Sequence, residues 1–200
     1  MIKALLFDWG GTCSPQGGVV ESFCAALARA TGLPLAALRD AYEVNNTRYL
    51  LGRMEGRAFW RQFARAAGIP EDEAFFIRLF RQAGRANPGM LALVRKLGKR
   101  YSLGLVSDNN KDLADFIERT YSLRRIFRVL VFSNRVGIKK PDSRIFLLAC
   151  TRLGVRPGEC LFIDDKEENV RAARALGMQA LLFRGEARLK RDLSKKGIGD

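Results

Sequence analysis

The chain has 200 residues, enough for one ordinary domain with a small insertion and for a core that needs no disulfide or metal staple. It contains no histidine, which excludes Ser–His–Asp and Cys–His mechanisms and His-ligated zinc, and leaves acid–base work to carboxylates, lysine or held water. The formal charge of +14 divides as +7 in each half, an even spread that reads as solvated helix surface, so no specific nucleic-acid partner is expected.

The four cysteines, Cys13, Cys24, Cys150 and Cys160, form no C-x-x-C pair and read as reduced, buried thiols, with oxidation of Cys13 as the alternative. No apolar run nears the roughly 20 residues that span a bilayer, and residues 1–7 are too short for a secretory core, so a cytoplasmic protein without membrane contact is expected.

In chain order, residues 2–7 (IKALLF) are an apolar run that ends in Asp8-Trp9-Gly10-Gly11-Thr12, the pattern of a buried strand entering a glycine loop. Helical apolar spacing follows over residues 19–30, stopped by Gly32-Leu33-Pro34, and then over residues 35–44, 57–67 and 71–82. Nothing between residues 15 and 88 reads as a strand, so residues 15–87 are expected to form a small helical cap. From Asn87-Pro88 helices and strands alternate: helix 89–97, strand 101–106, helix 111–119, strand 128–132, helix 142–153, strand 160–163, helix 167–176 and strand 179–183. The basic stretch 184–196 reads as a closing helix and tail. Alternation of this kind predicts βαβ units and a doubly wound α/β fold with a parallel sheet, formed by residues 1–14 and 88–200. Ligands of such sheets bind beyond the carboxyl ends of the strands, where Asp8, Ser107 and Asp164–Asp165 fall.

Four of these strand ends carry a chemical pattern. The first is Phe7-Asp8-Trp9-Gly10-Gly11-Thr12, the second Leu105-Val106-Ser107-Asp108-Asn109, the third Gly137-Ile138-Lys139-Lys140-Pro141-Asp142, and the fourth Phe162-Ile163-Asp164-Asp165 with Asn169. A carboxylate at a strand end backed by inward-facing N–H groups can attack phosphorus, and such a site must neutralise several negative charges, a task that suits a divalent cation with oxygen ligands. Each cluster also has a plainer reading. Asp8 reads equally as a turn carboxylate, Asp164–Asp165 as a cap for the helix near Glu167, Ser107 as a cap for the next helix, and either lysine as solvated.

Taken together and in this order, the four clusters resemble the haloacid dehalogenase superfamily, in particular its members with a helical cap. The D-x-G form of the first motif is similar to that of the bacterial glucose-1-phosphate phosphatase branch. The resemblance implies a magnesium-dependent phosphohydrolase acting on a small phosphorylated metabolite through an aspartyl-phosphate. Asp8 would be the nucleophile, and Lys140, rather than Lys139, would bridge nucleophile and phosphate. Ser107, Asp108, Asn109, Gly11 and Lys140 would hold phosphate oxygens. Asp8, Asp165 and the carbonyl of Gly10 would bind the metal, with Asp164 and Asn169 orienting it from behind. Arg48, Arg53 and Arg57 of the cap are candidates for reaching the substrate, over which the cap would close and exclude water.

Gly10 is the departure: the family's phosphatases carry a second aspartate there, which protonates the leaving oxygen and later activates water, worth about 10²–10⁴ in rate. Asp108 and Glu168 are the carboxylates that stand nearest to replace it. Two other classes stay open, a weak or non-catalytic binding protein, favoured by Gly10, and a metal-free 2-haloacid dehalogenase, disfavoured by the acidic pair.

Overall fold

The computed structural model describes residues 1–199. The chain opens with β1 (Ala4–Phe7) and passes through α1 (Val19–Thr31), α2 (Leu35–Leu50), α3 (Gly56–Ala67), α4 (Glu73–Ala83) and α5 (Pro88–Leu97). It continues with β2 (Ser102–Ser107), α6 (Lys111–Thr120), β3 (Val129–Phe132), α7 (Ser133–Val136) and α8 (Ser143–Leu153), and ends with β4 (Cys160–Asp164), α9 (Glu167–Ala175), β5 (Gln179–Leu182) and α10 (Glu186–Ser194). The five strands form one parallel sheet in the order β3-β2-β1-β4-β5. This is the doubly wound α/β fold that the alternation predicts.

Side-chain alternation along the strands divides the interior into two layers. Leu5, Phe7, Leu103, Leu105, Leu161 and Ile163 join one apolar cluster with helices α1–α6 and with α10. Ala4, Leu6, Val106, Val131 and Phe162 face the other side, against Ile145, Phe146 and Ala149 of α8 and Val170 and Ala173 of α9. Both faces are thus covered, as a parallel sheet requires.

Helix starts follow capping chemistry more closely than hydrophobic spacing. Asp72 accepts a hydrogen bond from Phe75 N at 2.9 Å, so α4 begins at Glu73 rather than at residue 71. Asp142 likewise caps α8 through Arg144 N at 2.9 Å and lies outside the helix. Asn87 caps α5, and Pro88 occupies its first turn, where a missing N–H costs nothing. The α2 helix runs six residues past the expected end, because Tyr49 stacks on Phe59 with ring centroids 4.2 Å apart. The single-turn α7 was not expected from the sequence. Gly137, at φ 68°, ends it in the left-handed region.

The helical segment holds itself together with aromatic rings. Trp60 packs 5.0–6.3 Å from Phe23, Tyr42, Tyr49, Phe59, Phe63, Phe76 and Phe80. Its indole N–H also donates to Asp112 Oδ2 of α6 at 3.3 Å, and Tyr49 donates to the same oxygen. Trp60→Ala therefore removes a buried ring and one link to the sheet layer together. The expected loss is about 3–5 kcal/mol in denaturant unfolding. A loss below about 1 kcal/mol would show that the ring cluster is not a stabilising centre.

Candidate active site

β1 lies at the middle of the sheet, and its neighbours decide what meets at its carboxyl end. Chain order reverses there: β2 and β3 extend to one side and β4 and β5 to the other, so a crevice opens between β1 and β4. Phe7 is in register with Ile163 on one side and Leu105 on the other. One further residue along each strand brings Asp8 beside Asp164, and Asp8 N donates to Ile163 O at 3.0 Å. Ser107, at the end of β2, donates from Oγ to Asp8 Oδ1 at 3.1 Å.

The third cluster is delivered by the loop between α7 and α8. Lys140 Nζ lies 2.6 Å from Asp8 Oδ1 and 2.7 Å from Asp164 Oδ2, with only 4% of the residue exposed. Its backbone N–H donates to Asp108 Oδ1 at 3.0 Å, so Asp108 holds the loop that carries the lysine inward. Lys139 is half-buried and lines the cleft without these contacts.

Asp164 is fully engaged. It accepts from Lys140 Nζ, from Asn169 Nδ2 at 3.0 Å on both oxygens, and from Lys166 N at 2.8 Å. Asp165 is not. Its Oδ1 is buried and has no hydrogen-bond partner among the described residues. Asp8, Asp164 and Asp165 offer oxygens within 4.8 Å of one another. At that separation each carboxylate pair repels by roughly 3–4 kcal/mol at an effective dielectric near 20. The lysine compensates one charge of the three. Burial pushes the Asp8 carboxyl up to about 7 against the pull of Lys140, with Asp164 and Asp165 adding to the rise. Burial also raises Asp165, with Asp164 adding to it. For Lys140, burial acts to lower the pKa, but Asp164 and Asp8 more than reverse it and keep the ammonium charged. An all-oxygen donor set with surplus negative charge and one unpartnered oxygen fits a hard divalent cation.

Gly11 has a steric role. At φ +79° it turns the loop in the left-handed region, and a Cβ there would lie 2.2 Å from Asp165 Oδ2. Gly10, in contrast, is not in that region, and its Cβ position is open, with Val19 Cγ2 at 3.7 Å and Asp8 Oδ2 at 4.0 Å.

At two of the positions expected to hold phosphate oxygens the backbone N–H has a partner within the protein: Gly11 N donates to Ser14 Oγ of its own turn at 3.0 Å, and Asn109 N to Ser133 Oγ at the start of α7 at 3.1 Å. Asn109 instead reaches the site through its side chain, donating to Ser107 Oγ at 3.0 Å. Ser107 does not cap α6; Asn110 does, accepting from Leu113 N at 2.9 Å. Trp9 is core: its indole N–H donates to Gly84 O at 2.9 Å. All four cysteines are free and buried, and burial pushes the Cys13 thiol up, away from the reactive thiolate.

The cleft above these residues encloses about 460 Å³. Asp8, Gly10, Asp108, Asn109, Lys140, Asp165 and Asn169 line it, and Glu168 sits at its exposed edge. Arg48, Arg53 and Arg57 do not line it; all three are exposed, and Arg57 borders a separate depression beside Trp60. The arginine at the cleft is Arg39, which is ion-paired with Glu21. Ser133 is a second residue that sequence reasoning missed. It ties Asn109 to Leu50 O, to which it donates at 2.7 Å. A lone serine after a strand carries no periodic signal.

Comparison with known proteins agrees with this fold. Residues 2–177 match the family model of the haloacid dehalogenase-like hydrolases. The chain spans only 18–26% of the first curated relatives it matches, which are longer proteins. Phosphoglycolate phosphatase of Xanthomonas campestris is nearer in size: it is 26% identical over 183 residues, which cover 90% of this chain and 81% of that one. Among solved structures, a family enzyme from Bacteroides thetaiotaomicron in its magnesium complex superposes with a TM-score of 0.79 at 22% identity, covering 95% of this chain and 98% of that one. The L-2-haloacid dehalogenase of Xanthobacter autotrophicus, with chloropropionic acid covalently bound, gives 0.66 at 22% identity, covering 100% and 85%. These two likenesses are of fold. The family match extends over both motif-bearing halves of the sheet, and this chain belongs to the haloacid dehalogenase-like hydrolases.

Proposed function

We propose that the chain is a magnesium-dependent phosphohydrolase that acts on a small phosphorylated metabolite, with Asp8 as nucleophile and residues 15–87 as its cap. The observation that carries the reading is the unpartnered, buried Oδ1 of Asp165 beside Asp8 and Asp164. A metal-free dehalogenase would have to keep this surplus of carboxylates buried with one ammonium among them, a cost that a divalent cation relieves while leaving the carboxylates ionised. A phosphatase among the relatives and a magnesium-bound neighbour of the same fold point the same way.

In this reading Asp8 Oδ1 is held by Lys140 and Ser107, and the free Oδ2 faces the substrate. Oδ2 attacks phosphorus, the ester P–O bond breaks, and its electron pair leaves with the alcohol oxygen. Water then cleaves the aspartyl-phosphate and returns the carboxylate. Asp8, Asp165 and the Gly10 carbonyl would hold magnesium, which when bound supplies Lewis-acid stabilisation of the charge on the phosphoryl oxygens. Lys140 contributes a fixed positive charge at the same place, while Ser107 and the Asn109 side chain orient the oxygens. Asp164 and Asn169 position Lys140 and the end of β4.

Two substitutions test the core of this assignment. Asp8→Asn should lower p-nitrophenyl phosphate turnover by about 10³ or more with the circular dichroism unchanged. Asp165→Asn should abolish magnesium binding in a calorimetric titration of the protein alone. Retained turnover in the first variant, or unchanged magnesium affinity in the second, would overturn the roles given to these residues.

Gly10 supplies a sharper test, because its backbone angle and the open space at its Cβ admit a side chain. Without an acid there, the leaving oxygen departs with little protonation, so esters of good leaving groups are favoured. Gly10→Asp should raise kcat for alkyl phosphates by about 10² or more, and by much less for p-nitrophenyl phosphate. Equal changes in the two rates would show that no acid is missing.

A further inference from the structure

Two sulfur atoms lie in contact at the end of the sheet away from the cleft. Cys150 stands in the last turn of α8 and Cys160 opens β4, and their Sγ atoms are 3.5 Å apart. Cys160 is in register with Ala4 at the start of β1, whereas Asp164 closes β4 at its other end. About 13 Å of strand therefore separates the pair from the crevice.

Backbone contacts bring the sulfurs together. Gly154, at φ 71°, stops α8, Val155 N donates to Cys150 O at 3.1 Å, and a 3₁₀ turn over Pro157–Glu159 leads into β4. Lys3 fixes the end of that turn, with its N–H on Glu159 O at 2.8 Å and its ammonium 2.6 Å from Glu159 Oε1. A disulfide is about 2.05 Å long, so the gap closes with a movement of about 1.5 Å, within the range of small side-chain rotations.

The two thiols are not equivalent. Both are buried, at 2% and 0% exposure, in the apolar layer with Ala4, Leu153 and Met178. Burial pushes the thiols of Cys13 and Cys24 up. Cys150 goes the other way, because the hydrogen bond from Cys160 holds its thiol below the ordinary value against burial. The same bond, with burial, raises Cys160. Negative charge thus settles on Cys150, and the thiolate is the form that attacks oxidants. Helix ends fray, and the exposed Thr151 and Arg152 follow Cys150, so a small oxidant reaches it by a local opening of the last turn.

We propose that Cys150 and Cys160 form a redox site, which hydrogen peroxide converts to an intramolecular disulfide and a small thiol restores. The Cys150 thiolate attacks one peroxide oxygen, the O–O bond breaks, and its electron pair leaves on the other oxygen, which takes up a proton as water. Cys150 is then a sulfenic acid. The Cys160 sulfur attacks the Cys150 sulfur, the S–O bond breaks, and hydroxide leaves with the Cys160 proton as a second water. Two thiols are oxidised by two electrons and one peroxide is reduced. Exchange with a thiol such as glutathione reverses the bond. The disulfide staples β4 to the end of α8, the helix that follows the Lys140 loop.

Reduced protein is treated with hydrogen peroxide under native conditions, then unfolded, alkylated and digested for mass spectrometry. Two of the four thiols should escape alkylation. The peptides carrying Cys150 and Cys160 should appear joined and lighter by two hydrogen atoms, until dithiothreitol separates them. Cys160→Ser should leave Cys150 as a sulfenic acid that dimedone traps, and Cys150→Ser should slow thiol loss about tenfold or more. Circular dichroism checks that both variants fold. The proposal is overturned if all four thiols stay alkylatable, if the bond involves Cys13 or Cys24 or joins two chains, if it forms only in urea, or if the two serine variants lose thiol at the same rate.

Discussion

The site depends on one buried ammonium. Lys140 spans Asp8 of the central strand and Asp164 of its neighbour, and so ties β1, β4 and the loop before α8 at a single point. Taking such charges out of water is costly, and the pairing repays the cost only while both carboxylates stay in place. Each partner is therefore fixed from behind: Asp164 by Asn169 and Lys166 N, Lys140 by Asp108 through its backbone, and Asp8 by Ser107 and Ile163 O. The lysine also lies 5.7 Å from the centre of the Phe162 ring, a further cation contact in a dry setting. A charge so firmly held needs no reorganisation when charge develops nearby, which is the property expected of a preorganised site.

Much of this was legible in the sequence, for a physical reason. Parallel strands buried on both faces read as apolar runs, and the first polar residue after each run marks the carboxyl edge. Asp8, Ser107 and Asp164–Asp165 were located that way, and Lys140 by its place before proline. The α2 helix shows where such reading stops. It buries Asn46 and leaves Val44 66% exposed, so its apolar spacing misreports which face turns inward. Arg39 and Tyr42 were accordingly missed; Arg48 lies on the exposed side of the same helix, and Arg53 and Arg57 lie beyond its end. Contacts made by one hydroxyl, such as Ser133 to Leu50 O, depend on tertiary placement that no local pattern encodes.

The plainer readings of single residues also found their answer in geometry. Asp164 does meet a backbone N–H at the start of α9, as a capping carboxylate would, and it holds Lys140 as well. Asp165 is left free of such duties. Two adjacent identical residues thus differ because strand alternation and the following turn aim them differently.

The apolar cluster on one face of the sheet runs without a break from Leu5 and Phe7 into Phe23, Phe63 and Phe80 of the helical segment. A hinge that swung those helices clear of the sheet would pull this oil-like seam into water, at a cost proportional to its area. Wide opening is therefore expensive for this molecule. Molecules that enter the cleft therefore do so with that seam in place, past wall residues that include the Arg39–Glu21 ion pair.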